Sequence, residues 1–243
     1  MLRFMLVACT GFLVGAINGM AGGASLISYP VMLALGLHPI NAAVTNSLGV
    51  SSANFFAIRS SPHTARKLFR TYGTLIALSV AGSVIGAILL LSLPPHVFEK
   101  IVPFLLLGAT CTLLLPTKPR PGRRNEVVAA VGISASGLYC GYFGPGQGVM
   151  VVAALARGRS DSPTAQNAAK NIIVGVTSLA SNIIYLFSGR ADWILVLALF
   201  VGSSFGGTLG GKWASHMSPN FYRGLVMTVG FGASIWLFFR YFS

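Results

Sequence analysis

The chain has 243 residues, of which 54% are hydrophobic and 9% are charged, and its mean hydropathy is +0.75. A soluble domain carries about 25% charged residues, so this composition excludes a water-soluble globular protein. The formal net charge of +13 would suggest nucleic acid as a partner of a soluble chain. Here the basic residues cluster in short segments between apolar runs, which favours membrane lipid as the partner and no nucleic acid.

Long runs without a charged residue divide the chain into segments of membrane-spanning length. The first run extends from residue 4 to residue 58, which suffices for two crossings by helices of about 20 residues each. The pattern predicts an all-α integral membrane protein with several crossings. We expect about eight transmembrane helices, at residues 4–28, 40–58, 71–92, 100–116, 127–156, 164–188, 192–212 and 221–240.

Two basic segments indicate which side of the membrane faces the cytoplasm. Segments 59–70 and 117–126 carry four Lys or Arg residues each. Basic loops stay on the cytoplasmic side, so both segments are expected there, together with the two termini and with Arg3 as a cytoplasmic anchor. Segment 157–161, RGRSD, is then expected on the outer side.

The two halves of the chain resemble each other. GAINGMAGGASLI (15–27) aligns with GLYCGYFGPGQGVMV (137–151) at an offset of 137 − 15 = 122 residues, and a polar-studded apolar helix follows each segment. We predict two homologous four-helix repeats, residues 1–121 and 122–243, that together form one transport domain. Internal duplication with a broken helix at matching places is typical of secondary transporters. The repeats would be parallel if the broken segments span the membrane, and could be inverted if these segments are re-entrant.

The Gly-rich segments are poor helix formers, because each Gly costs about 1 kcal/mol and each Pro about 3 kcal/mol relative to Ala. Irregular backbone at membrane depth must be buried in protein or line a cavity. Half-helix N-termini present free N–H groups and partial positive charge, which suits an oxyanion. The alternative is close helix packing, which we accept for the four-residue stripes Gly11, Gly15 and Gly19 and Gly202, Gly206 and Gly210.

The ionisable residues narrow the chemistry further. All four acidic residues lie in or beside loops, so we expect no catalytic pair, no metal site, no cofactor and no enzyme activity. Lys170 is expected inside a span, either at the substrate site or with its ammonium group reaching an interface. The candidate substrate-binding residues are Gly22, Gly23, Ala24, Ser25, Thr45, Asn46, Ser47, Gly144, Pro145, Gly146, Gln147, Gly148, Lys170 and Asn171.

The sequence resembles the TauE/SafE family of anion transporters, the sulfite and organosulfonate exporters, also called the 4-toluene sulfonate uptake permease family. The resemblance rests on AGGASLISYP followed by LHPINAAVTNSL, and on GYFGPGQG followed by AQNAAKN. It covers nearly the whole chain, although Ala24 and Ser25 interrupt a glycine run that is often unbroken in the family.

The resemblance implies a secondary transporter in the bacterial inner membrane that exports a small anionic substrate, such as sulfite or an organosulfonate, by alternating access. A homodimer is compatible with it. An anion channel and an uptake permease for a related organic anion remain the alternatives.

Overall fold

The structure is a computed structural model that describes residues 2–18, 23–59, 62–114, 125–159, 161–214 and 219–242. Within these ranges every regular element is a helix, and the expected all-α class is confirmed. The helices are α1 (Leu2–Asn18), α2 (Ser25–Ala34), α3 (Pro39–Arg59), α4 (Pro62–Ser92), α5 (Pro95–Thr112), α6 (Glu126–Tyr142), α7 (Gln147–Gly158), α8 (Pro163–Leu186), α9 (Trp193–Ala214) and α10 (Pro219–Phe242).

Three stretches of the described helices are long and apolar enough to cross a membrane by length and composition: Arg66–Ser92 in α4, Thr164–Leu186 in α8 and Arg223–Phe242 in α10. Two of the eight expected spans, 4–28 and 127–156, are each divided between two shorter helices. The division falls in the Gly-rich segments, as their low helix propensity predicts.

Helices α6 and α7 form a hairpin and do not continue along one axis. The N–H of Asn125, before α6, donates a 2.9 Å hydrogen bond to the carbonyl of Gly158, at the end of α7. A Cβ atom on Gly158 would lie 2.6 Å from Cβ of Ala129, and one on Gly132 would lie 2.7 Å from Cβ of Ala154. Because the start of one helix meets the end of the other, residues 127–156 enter and leave on the same side. The broken segment is therefore a helical hairpin and not one continuous helix.

The same conclusion holds for α1 and α2. Helix α1 runs parallel to α9, since Gly11 packs on Leu199 and Gly15 packs on Ser203. Helix α3 also runs parallel to α9, since Thr45 contacts Asp192 near the start of α9 and Ser52 contacts Ser203 further along. Four residues separate the end of α2 from the start of α3, so α2 returns to the end at which α1 started.

Glycines mediate the close contacts between the two halves of the chain. Helix α1 lies along α9, and α4 lies along α6. A side chain on Gly15 would overlap the carbonyl of Ser203, and one on Gly141 would overlap the carbonyl of Ser83. The packing role expected for the two stripes is confirmed for Gly11, Gly15, Gly202 and Gly206, whereas Gly19 is outside the described residues, as is the side-chain environment of Gly210.

The hairpins change the expected topology. Helix α4 runs parallel to α8, since Tyr72 Oη donates a 2.6 Å hydrogen bond to Asp161 and Ser83 Oγ donates a 2.8 Å bond to the carbonyl of Thr177. Arg159 and Asp161 therefore lie at the same end of the molecule as the start of α4, with Arg66, Lys67 and Arg70. We call this end the basic end. The expectation that segment 157–161 faces away from the other basic segments was wrong, because a hairpin returns the chain to the side it left.

The position of Arg3 is corrected for the same reason. Helix α8 runs from the basic end to the opposite end, and α9 starts there after a short connection. Since α1 is parallel to α9, Arg3 lies at the opposite end from Arg66, Lys67 and Arg70. The start of α1 and the start of α4 are therefore at opposite ends of the molecule.

Candidate functional site

The turn between α6 and α7 has a backbone that requires glycine. Gly144 has a φ angle of +94° and Gly146 one of +89°, values that a residue with a side chain rarely adopts. Pro145 lies between these two glycines, and its carbonyl accepts a 2.7 Å hydrogen bond from Tyr139 Oη, which holds it in place. A Cβ atom on Gly146 would also lie 2.9 Å from Cβ of Ala109, so the turn is held against α5.

The turn between α1 and α2 meets this turn inside the protein. The N–H of Gly146 donates a 3.2 Å hydrogen bond to Oγ of Ser25, the first residue of α2. Gly23 has a φ angle of +82°, and a Cβ atom there would lie 2.6 Å from Cγ2 of Val149. The N-termini of α2 and α7, which carry the partial positive charge of each helix, thus lie side by side.

A small cavity of about 40 Å³, lined largely by polar residues, lies at this meeting point. We call it the central cavity. Since one water molecule needs about 10–15 Å³ of such volume, the cavity has room for about three water-sized groups. Helices α1, α2, α3, α6, α7 and α8 all contribute to its wall. The lining residues are Asn18, Ser25, Asn46, Ser47, Val50, Ser51, Cys140, Gly144, Gln147, Gly148, Val174 and Ser178.

Hydrogen bonds between helices orient two of the polar side chains in the wall. Ser28 Oγ donates to Oδ1 of Asn46, which leaves the NH₂ of Asn46 as its donor group. Ser47 Oγ donates a 2.7 Å bond to Oδ1 of Asn182, and Nδ2 of Asn182 returns a 3.3 Å bond to the carbonyl of Ser47. Asn46 and Ser47, which α3 contributes to the cavity wall, are therefore held in place by hydrogen bonds with neighbouring helices.

One polar residue of the wall, Gln147, has a buried donor group that is unused. The residue is the first of α7 and is 3% exposed, yet Nε2 has no hydrogen-bond partner in the described structure. A buried polar group without a partner costs about 1–3 kcal/mol. Such a group beside a polar cavity indicates a place for a ligand with acceptor atoms.

Lys170 is 1% exposed, and its Nζ donates a 3.0 Å hydrogen bond to the carbonyl of Asn18, the last residue of α1. The ammonium group therefore does not reach an interface. A cation at a helix C-terminus is favourable, because the last carbonyls carry partial negative charge. Lys170 does not line the cavity itself, but it contacts a residue that does, and Val174 and Ser178 on later turns of α8 complete the wall.

The structure brings some of the expected site residues together and separates others. Gly23, Ala24, Pro145 and Gly146 belong to the two turns behind the cavity. The hydroxyl of Thr45 faces α9 and accepts a 3.0 Å bond from the N–H of Asp192. Asn171 is absent from the cavity wall, and its Oδ1 has no partner in the described structure. Gly22 lies outside the described residues. The expected residues in the wall are Ser25, Asn46, Ser47, Gly144, Gln147 and Gly148.

Sequence reasoning missed other members of the wall, notably Asn18 and Cys140. The signal for Asn18 was present, because it is a polar residue at the end of an apolar helix, directly before the Gly-rich break. Ser51 and Ser178 belonged to polar stripes that mark one face of α3 and α8 without fixing which residues face the cavity. Cys140 carried no such signal, since cysteine is often a buried small residue.

Comparison with known proteins identifies the family. The sulfite exporter TauE/SafE family matches residues 7–237. A probable membrane transporter protein of Haemophilus influenzae is 29% identical over 92% of this chain and 89% of its own length. The probable membrane transporter protein ORF9 of a Sinorhizobium species is 26% identical over 97% of this chain and 91% of its own.

A third relative is the probable membrane transporter protein YfcA of Escherichia coli K12, which is 25% identical over 89% of this chain and 82% of its own length. No solved structure gives a significant match. The resemblance in the two Gly-rich motifs is thus part of a match over nearly the whole sequence, and the chain belongs to the sulfite exporter TauE/SafE family.

Proposed function

We propose that the protein is a secondary transporter that moves a small oxyanion, such as sulfite or an organosulfonate, through the cavity at the two helix breaks. The family description and the relatives' names indicate a membrane transporter. The observation that carries the choice of cargo is the buried, unpartnered Nε2 of Gln147 beside two helix N-termini. An oxyanion would accept hydrogen bonds from that amide and be stabilised by both helix dipoles.

The charges around the cavity also favour an anion. No carboxylate is among the described residues that line it, so a bound anion meets no negative side chain there. The positive charge of Lys170 is also near, because its ammonium group donates a hydrogen bond to the carbonyl of Asn18, which lines the cavity. In a low-dielectric interior such a charge stabilises a nearby anion more strongly than it would in water.

Alternating access requires that the cavity opens in turn to each side. In our proposal the two hairpins, α1–α2 and α6–α7, separate at the Ser25–Gly146 contact, one hairpin moving against the rest of the protein at a time. The basic end faces the cytoplasm, because positive residues are retained there. An anion leaving a cell with a negative interior gains about 2.3 kcal/mol per charge and 100 mV, which favours export.

Counterflow in liposomes tests this proposal. Vesicles that contain the purified protein are loaded with unlabelled sulfite, and the uptake of labelled sulfite is followed. We expect saturable uptake that rises transiently above equilibrium when unlabelled sulfite is inside. Uptake that does not saturate and shows no counterflow would identify a channel. The same assay with organosulfonates and carboxylates identifies the cargo.

A further inference from the structure

A second cavity lies on the outside of the α6–α7 hairpin. It has a volume of about 430 Å³ and an almost entirely apolar wall. Val127 and Val131, which are 71% and 64% exposed, show that it opens sideways from the helix bundle. We call it the lateral groove. It is lined by Thr112, Val127, Val128, Val131, Gly132, Ala135, Met150, Ala153, Ala154 and Arg157.

One charged residue belongs to the lateral groove. Arg157 lies in the last turn of α7, at the basic end, and is exposed. It has no hydrogen bond or ion pair in the described structure. Arg159, two residues later, is instead buried, with ion pairs of 2.9 Å to Asp161 and 3.4 Å to Glu126 and with its guanidinium over the ring of Tyr72. The local acidic side chains thus neutralise Arg159 and leave the charge of Arg157 available.

The described residues that line the groove include one charged side chain, that of Arg157, and its charge is positive. An apolar groove between helices, with a basic residue at its cytoplasmic end, matches an acyl chain joined to an anionic headgroup. A second copy of this chain would bring the same positive charge to the contact and be repelled there.

We propose that the lateral groove binds an anionic phospholipid of the cytoplasmic leaflet, with an acyl chain along Val131 and Met150 and the phosphate at Arg157. The orientation of this site rests on the proposed function, in which the basic end is cytoplasmic. Binding would also act on the transport site, because α7 lines the groove with Met150 and Ala154 and begins with Gln147 at the central cavity. The bound lipid would hold α7 in its hairpin.

The test measures lipid binding directly, so its result is independent of transport. The purified protein in detergent is titrated with phosphatidylglycerol or phosphatidylcholine, and bound lipid is counted by native mass spectrometry. We expect preferential binding of phosphatidylglycerol, weakened about five-fold by Arg157→Gln, as for the loss of one basic residue near an anionic surface. Arg66→Gln is the matched control, since Arg66 is exposed at the same end but does not line the groove.

A second pair of variants tests the apolar part. Val131→Trp fills the lateral groove and should abolish the selective binding, whereas Leu197→Trp, at an exposed position of α9, should not. If Val131→Trp does not fold, Val127→Trp at the mouth of the groove replaces it. Equal binding of both lipids, or an effect of Arg66→Gln as large as that of Arg157→Gln, would overturn the proposal. Loss of a dimer instead of lipid in Val131→Trp would assign the groove to a second copy.

Discussion

The N–H of Gly146 donates a hydrogen bond to Oγ of Ser25 and so joins two helix breaks that are 121 residues apart in the chain. The bond crosses the boundary between the two proposed repeats and lies at the wall of the central cavity. Any motion that separates the two hairpins has to break it. Ser25 therefore belongs both to the proposed anion site and to the contact that closes it.

Replacing Ser25 with Ala should remove this bond and a cavity hydroxyl without adding bulk. A neutral hydrogen bond contributes about 0.5–1.5 kcal/mol, so we expect up to ten-fold weaker anion binding, measured by isothermal titration with sulfite. Thr228→Ala is the control, because Thr228 Oγ1 bonds only within its own exposed helix turn, to the carbonyl of Gly224. Unchanged affinity in Ser25→Ala would remove Ser25 from the site.

Replacing Gln147 with Glu tests the anion site, because the side chain keeps nearly the same shape and gains a negative charge. Gln147→Glu places a carboxylate beside the cavity, so like-charge repulsion should abolish anion binding, while Gln147→Leu should weaken it by removing the donor. Tyr29→Phe is the control, because Tyr29 Oη is also buried without a partner but does not line the cavity. Binding is measured as the thermal shift of purified protein on addition of sulfite. A wild-type shift in Gln147→Glu would refute the proposed position of the anion.

The packing of α4 on α6 predicts a stability effect that is separate from substrate binding. In Gly141→Ala the new methyl group would overlap the backbone of Ser83 and would lie 2.7 Å from the N atom of Ala87. Overpacking of this kind costs about 1–3 kcal/mol and should lower the melting temperature in detergent. Gly108→Ala is the matched control, since a Cβ atom there meets nothing within 4 Å. Equal melting temperatures would contradict the close packing.

Some of this architecture could be predicted from the sequence and some could not. The breaks at Gly144–Gly146 follow from glycine and proline, which disfavour a helix wherever they lie. The direction of the chain after the break does not follow, because hydropathy over 127–156 is the same for a tilted span and for a hairpin. That direction depends on long-range contacts, such as the one between Asn125 and Gly158.

The site shows the same division at the level of single residues. TNS at 45–47 marks a polar patch on α3, but consecutive helical residues point about 100° apart. Asn46 and Ser47 line the cavity, while the Thr45 hydroxyl bonds to the start of α9. Only the rotation of α3, which its packing on α8 and α9 fixes, separates these roles. The sequence therefore predicted which segments meet at the cavity better than which side chains line it.

Three substitutions of Lys170 separate the effect of its charge on anion binding from the effect of its hydrogen bond. Lys170→Met removes both the ammonium and the donor to Asn18, so we expect weaker sulfite binding and a free energy of unfolding lower by about 1.5–3 kcal/mol. Lys170→Arg keeps the charge and Lys170→Gln keeps only a donor. If the field of the ammonium stabilises the anion, Arg restores part of the affinity and Gln does not. Equal rescue by both would mean that Lys170 only positions α1, and unchanged affinity in Lys170→Met would exclude either role.

The last prediction concerns the orientation in the membrane. Among the described residues, the basic end carries Arg59, Arg66, Lys67, Arg70, Arg157, Arg159 and Arg223, whereas Arg3, Lys100, Arg190 and Arg240 lie at the opposite end. Because positive residues are retained on the cytoplasmic side, we expect the basic end inside and the N-terminus outside.

Single cysteines in a variant without Cys9, Cys111 and Cys140 test this orientation in intact cells. We expect Lys100→Cys to react with a membrane-impermeant maleimide and Lys67→Cys to react only after the membrane is permeabilised. Labelling of Arg3→Cys from outside would add a second site at the same end, and labelling from inside would show that α1 does not run parallel to α9. If Lys67→Cys reacts in intact cells and Lys100→Cys does not, the orientation is reversed, and the proposed assignment of the basic end to the cytoplasm is wrong.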